Sequence, residues 1–255
     1  VRIPLLVISV ILLGWLWAWA TAPLRGGLVL ECPEVGAGQC WILLSPAGSA
    51  VVVDCGSLDA SARPAAAALR ALARRGVNRL DAVVLTRTGP DVDSGVAELL
   101  REIPCGAMIG AAGAGVPTGP ARRELRPGAM VRVREGLTLE AYGAGEQVEC
   151  LAVRWRRARV ALVDRLSPGC RRFLESFDPH VLALGNAASR TRVELPAGIA
   201  PAVAVLSSGR ARAEWADYGL RRALQAVAGR VCITGRDGGV SILIRGDRVE
   251  VRTAR

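Results

Sequence analysis

Histidine is almost absent from this chain of 255 residues, which has only His180, and lysine is missing altogether. Hydrolytic zinc centres are built largely from imidazoles, and one histidine cannot supply such a set. The seven cysteines, Cys32, Cys40, Cys55, Cys105, Cys150, Cys170 and Cys232, contain no Cys-x-x-Cys pair, and their odd number excludes complete pairing within the chain. Scattered in this way they read as small buried hydrophobes. Walker and dinucleotide-binding patterns are also absent, and Ser189, Ser207 and Ser208 have no His or Lys partner to activate a hydroxyl. What remains is apolar and basic. Hydrophobic residues make up 51%, charged residues 22%, and the mean hydropathy is +0.31, which excludes a disordered chain. The 33 basic residues are all arginine and outweigh 23 acidic ones to give +10. Lysine-free composition rich in Ala, Gly and Val fits a GC-rich coding sequence, and the charge attracts polyanions without specifying a site.

Ile3 to Leu24 runs without a charge between Arg2 and Arg25. As a helix it would cover roughly 33 Å, the thickness of a bilayer core. Trp15, Trp17 and Trp19 crowd its second half, where indoles favour the head-group region. The stretch is too long, and its charged start too thin, for a cleaved leader. Residues 1–25 are therefore expected to be a transmembrane helix, the last of a larger membrane region, and 26–255 one domain on a side that the flanking charges do not decide.

Beyond Gly26, short apolar runs alternate with helical stretches. Leu28–Glu31, Cys40–Leu44 and Ala50–Asp54 read as strands, and Ala60–Gly76 as an Ala-rich helix with a C-terminal glycine. Leu80–Thr86 reads as a buried strand, Ser94–Glu102 as a helix capped by Ser94, and Gly106–Pro120 as mostly loop. Eight further strands are expected, at Met130–Val133, Leu137–Tyr142, Val148–Trp155, Arg159–Val163, Val181–Leu184, Ala202–Leu206, Val231–Thr234 and Val240–Arg245. Helices are expected at Arg171–Phe177 and Tyr218–Ala228. Two β-rich blocks, each with helices, imply an α/β fold in which two sheets pack face to face under outer helices, a four-layer αββα sandwich.

The order of VGAGQCWILL (Val35–Leu44), VVVDCG (Val51–Gly56), RRGVNRLDAVVLT (Arg74–Thr86), VLALGNAASRT (Val181–Thr191), VLSSGR (Val205–Arg210) and RVCITGRDGGVSI (Arg230–Ile242) resembles the C-terminal metallo-β-lactamase-like domain of ComEC competence proteins. That resemblance implies a DNA-uptake protein of the bacterial inner membrane, a polytopic channel as partner, and a domain after its last helix. It also implies an H-x-H-x-D-H metal loop, which here reads RTGPDV. Arg87, Gly89 and Val92 stand at imidazole positions, and Asp91 alone is kept. The later His pair falls on Asn186 and Ala187, the bridging Asp falls near Asp164 or Arg165, and Trp215 stands near another His position. These are vestigial metal-site positions, and Arg87 places a permanent cation where a dication would sit. The expectation is a domain with no cofactor that binds or guides single-stranded DNA, or serves the channel structurally. The rival is a carboxylate-only Mn²⁺ or Mg²⁺ nuclease or phosphodiesterase using Asp54, Asp91, Asp93 and Asp164.

Two basic groups read either as DNA contacts or as solvated turns. One is Arg154, Trp155, Arg156, Arg157 and Arg159, whose indole could stack a base. The other, Arg122, Arg123 and Arg126, is expected in a loop. The Gly36–Gly38 turn reads as a tight strand connection, and His180 as a strand-start residue.

Overall fold

The structure, a computed structural model, describes residues 3–21, 26–110, 121–186, 194–196, 198–209 and 218–254. An N-terminal helix, α1 (Ile3–Thr21), precedes an antiparallel meander of β1 (Leu28–Cys32), β2 (Gly38–Leu44) and β3 (Ala50–Ser57). These strands are buried along their whole length, because one face meets a second sheet and the other meets helices. Their sequences are accordingly mostly apolar, with Glu31, Gln39, Asp54 and Ser57 as buried polar exceptions.

From β3 the chain forms α2 (Pro64–Arg74), then β4 (Leu80–Leu85), α3 (Pro90–Asp93), α4 (Val96–Glu102), β5 (Cys105–Gly110) and β6 (Ala121–Glu124), with β4, β5 and β6 adding in parallel beyond β3. Helix α2 starts at Pro64 rather than Ala60, since proline is at home in the first turn and disfavours helical backbone before it. Ser94 does not cap α4. Its Oγ accepts from Ser57 N at 3.0 Å and donates to Ser57 O at 3.3 Å, tying the helix start to the end of β3.

The second sheet begins with β7 (Met130–Arg132), a 3-10 turn at Arg134–Gly136, β8 (Thr138–Ala144), β9 (Gln147–Trp155) and β10 (Ala158–Val163), all antiparallel. It continues through α5 (Pro168–Phe177), β11 (Val181–Leu184), β12 (Val203–Leu206), α6 (Tyr218–Val227) and β13 (Arg230–Ile233), the last three strands being parallel additions. After the short α7 (Thr234–Asp237) the chain crosses back, and β14 (Gly239–Arg245) and β15 (Arg248–Ala254) complete the first sheet beside β1.

Three apolar layers hold this together. Trp41, Leu43, Val53 and Val84 meet Leu139, Leu151, Val160 and Leu162 between the sheets. Ala68, Leu72 and Leu99 of α2 and α4 cover Ile42, Val52 and Val83 on one outer face. Leu174, Phe177, Leu220 and Leu224 of α5 and α6 cover Leu182, Leu184 and Leu206 on the other. Helices thus lie outside two sheets, as the sequence pattern implies.

The departures have physical reasons. β6 and β15 carry arginines and lack an apolar run, so Arg122 and Arg123 sit on an edge strand rather than in the expected loop. All seven cysteines are free, and six of them are buried. Helix α1 forms over 3–21, and Ile8 to Trp17 stand outward, with Trp15 76% and Trp17 70% exposed. Among the described residues no helix is long and apolar enough to cross a membrane. Ala22 to Arg25 lie outside the described residues.

Trp155 corrects the expectation of a base-stacking indole. It is 4% exposed and belongs to the layer between the sheets, and the Arg156 guanidinium lies over its ring at 4.8 Å. Trp155→Ala is expected to lower the unfolding free energy by about 3–5 kcal/mol, measured by urea denaturation.

Candidate functional site

The pocket is set up by a β-bulge. Cys40 pairs with Cys55 and Trp41 with Val53, which leaves Asp54 as the extra residue of β3, at φ 54°. A bulge re-aims the side chain it carries, and Asp54 turns towards the end of β4. It accepts from Thr86 N at 2.9 Å, Thr86 Oγ1 at 2.8 Å and Gln39 Nε2 at 2.7 Å. Burial raises its pKa to about 7, helped by the nearby Asp164 charge and opposed by the bonds from Thr86 and Gln39. Removal from water outweighs three donors.

One residue further on, Arg87 leaves the strand and reaches across the gap between the sheets. Its Nε donates to Asp164 Oδ2 at 2.7 Å and its Nη2 to Asp164 Oδ1 at 3.3 Å. Its Nη1 and Nη2 donate to Asp91 Oδ1 and Oδ2 at 2.9 and 2.7 Å. Asp91 comes from α3 and Asp164 from the end of β10, so a planar fork holds two carboxylates, one from each half of the sandwich. Burial alone would lower the guanidinium pKa, but the bonds and charges of Asp91 and Asp164 together raise it.

The backbone around this fork is tightly specified. Gly89 sits at φ 141°, and a Cβ there would meet Arg87 Nη1 at 2.9 Å. Gly56 lies under α3, where a Cβ would meet Pro90 O and Val92 N at 2.5 Å. Val92 is fully buried, and Asp93 turns away from the pocket to accept from Gly89 N at 3.0 Å. Across the gap, Asn186 Nδ2 donates to Ala37 O at 3.2 Å and Ser207 Oγ to Gly38 O at 2.8 Å, so the residues beyond β11 and β12 bind the Gly36–Gly38 turn. Gln39 had been read only as part of that turn. Its carboxamide in fact packs against Gly185 and leaves Oε1 buried without a partner. Ala187, Ser189 and Trp215 lie outside the described residues.

The resemblance in motif order implies a metal centre here, and the donor set does not fit one. All four oxygens of Asp91 and Asp164 accept from Arg87, Gly89 and Val92 offer no ligand, Asp93 serves the backbone, and Asn186 turns its amide to Ala37. Among the described residues no group of three or more His, Cys, Asp or Glu has the geometry to hold a metal ion. The four carboxylates Asp54, Asp91, Asp93 and Asp164 are near one another but separately engaged.

The basic hairpin lies at the opposite end of the strands. Arg154 is placed over the Phe177 ring at 4.6 Å, and Arg159 donates to Asp178 Oδ2 at 2.8 Å and to Asp178 O. Arg154, Arg156 and Arg157 are exposed, the last two in the β9–β10 turn. His180 accepts from Arg159 N at 3.2 Å through Nδ1 at the start of β11, and burial with the nearby Arg159 charge lowers its pKa.

Two measurements test this geometry. Arg87→Met removes the cation that Asp91 and Asp164 share, and is expected to cost about 3–5 kcal/mol of unfolding free energy in urea. Asp54 is protonated in both states below its ordinary value of 3.8, and between there and about 7 the unfolded chain ionises first. Its contribution to stability therefore falls by about 1.4 kcal/mol per pH unit across that window and is level above it. Asp54→Asn is expected to remove this slope, read from denaturation midpoints between the two values.

A scan against protein-family models gives no match, and a search of curated proteins gives none. Solved structures do match. The metallo-β-lactamase fold protein YhfI from Bacillus subtilis superposes with a TM-score of 0.57 at 13% identity, covering 80% of this chain and 96% of that one. Zn²⁺-bound PqqB from Methylobacterium extorquens superposes at 0.51 with 10% identity, covering 80% and 85%. At such identities the likeness shows the fold alone, and it agrees with the sheet order, the outer helices and the pocket at the strand ends: this chain has the metallo-β-lactamase fold.

Proposed function

We propose that this is a metal-free, non-hydrolytic domain of a ComEC-type DNA-uptake protein, held at a bacterial inner membrane by α1 and serving the channel as a structural or polyanion-docking part. The observation that carries the absence of catalysis is Arg87, whose guanidinium engages each oxygen of the two carboxylates best placed to ligate an ion. A fixed organic cation there opposes a dication by charge and occupies the place between Asp91 and Asp164. The membrane role is supported by the apolar sequence of α1 and by its outward side chains, and the DNA-uptake context by the order of motifs from Val35 to Ile242. The charge of +10 supports a polyanionic partner.

The test is elemental analysis of the purified full chain after exposure to Mn²⁺ and Zn²⁺, alongside cleavage of single-stranded DNA. Substoichiometric metal and no cleavage are expected. Stoichiometric metal with chelator-sensitive cleavage would establish the carboxylate hydrolase instead. Titration of single-stranded DNA over a salt series then separates the two non-catalytic roles, since docking through phosphates gives an affinity that falls steeply with salt and a purely structural part gives no binding.

A further inference from the structure

Six exposed arginines that the site does not use lie at the other end of the sandwich, while others, such as Arg63, Arg165 and Arg236, lie at the end that holds the site. Arg79 precedes β4, Arg134 lies in the 3-10 turn, Arg156 and Arg157 make the β9–β10 turn, Arg230 begins β13 and Arg248 begins β15, and all six are exposed. These turns form one end of the molecule, because Ser49 Oγ donates to Arg134 O at 3.3 Å and His180 Nε2 lies 3.8 Å from Asp247 Oδ1, each contact joining the two sheets there. Among the described residues only Arg134 of the six has an ion-pair partner, Asp81 at 3.4 Å. Other carboxylate side chains described near that end are Asp178, held by Arg159, Asp247, beside His180, Glu250, beside Arg245, and the exposed Glu102 at the end of α4. Five of the six guanidinium groups there are without an ion-pair partner among the described residues.

The same end receives α1. β1 begins at Leu28, opposite Ile244 on one side and one residue from the Val29–Leu44 pair on the other, beside the Ser45–Ser49 and Arg245–Arg248 turns. Four residues lie between Thr21 and Gly26, a reach of no more than about 18 Å when fully extended. Apolar side chains from Ile8 to Trp17 and the arginine-bearing turns are thus tethered closely together.

We propose that this end of the domain rests on an anionic lipid surface beside α1, with the guanidinium groups among the head groups and the Arg87 pocket turned away from the bilayer. The inference rests on the reading of α1 as a membrane helix. Arginines near an anionic leaflet are each attracted strongly enough to orient a tethered domain, and the attraction decays within a Debye length. The seven-residue length of β2 places the pocket roughly 20 Å beyond that contact.

The experiment reconstitutes the full chain in nanodiscs of phosphatidylcholine alone and of phosphatidylcholine with about 30% phosphatidylglycerol, and compares amide hydrogen exchange by mass spectrometry. Exchange in the 76–79, 156–157 and 246–248 turns is expected to slow by about fivefold or more in the anionic discs and to recover in about 0.5 M NaCl. A triple variant, Arg156→Glu, Arg157→Glu and Arg248→Glu, is expected to lose that protection while keeping the wild-type thermal midpoint. Incorporation into both discs with identical exchange overturns the lipid contact and leaves the membrane helix standing. A chain that enters neither disc overturns the membrane helix and the contact with it. Slowing of these turns in neutral discs by a single-stranded oligonucleotide, without any effect of anionic lipid, overturns the lipid contact in favour of a nucleic-acid surface.

Discussion

The pocket depends on a contact made between the two sheets, in which Arg87 leaves the first sheet at the end of β4 and grips Asp164 at the end of β10 while also holding Asp91 of α3. A metal at this place would draw the same loops together by coordination. Here hydrogen bonds from a planar cation do so, with four directional contacts and no dependence on an ion from solution. The arrangement carries one positive charge against two negative ones, and the asymmetry is felt by Asp54, whose carboxyl is pushed up by burial and by Asp164. The site thus has acidic walls with a guanidinium between them.

Much of this was legible in the sequence, for identifiable reasons. Buried strands such as Leu80–Leu85 and Val181–Leu184 are largely apolar runs because both faces of their sheets are covered, while the first turn of α5, capped by Ser167 and opened by Pro168, escapes the sequence pattern, which predicts the helix only from Arg171. The exchange of imidazoles for Arg87, Gly89 and Val92 was legible once the motif order was recognised. The edge strands β6 and β15 were not, since their residues are mostly polar and only partnership with β5 and β14 makes them strands. α3 was hidden for a related reason: four residues of Pro-Asp-Val-Asp carry no period, and their helical turn is fixed by packing against β3.

The chemistry of the pocket was harder to foresee than its membership. Sequence alone placed Arg87 and Asp91 four residues apart, but it could not bring Asp164 to the same guanidinium, because that contact spans 77 positions of chain. Asp54 is similar. Its role follows from an unpaired position in the β2–β3 ladder, which no residue type announces, and from Thr86, a residue read beforehand only as the last of its strand. Trp155 shows the reverse case, in which an indole among arginines suggests a recognition surface and the ladder turns it inward.

The border strand β15 has a consequence for how many copies can share a small area. Its outward positions run Arg248, Glu250, Arg252 along a ribbon whose far side has no partner among the described residues. A second ribbon laid against it must match this alternating pattern of charge and surrender its hydration, so fusion of neighbours through backbone bonds is discouraged. Neighbouring molecules can therefore crowd to high density while remaining individually folded.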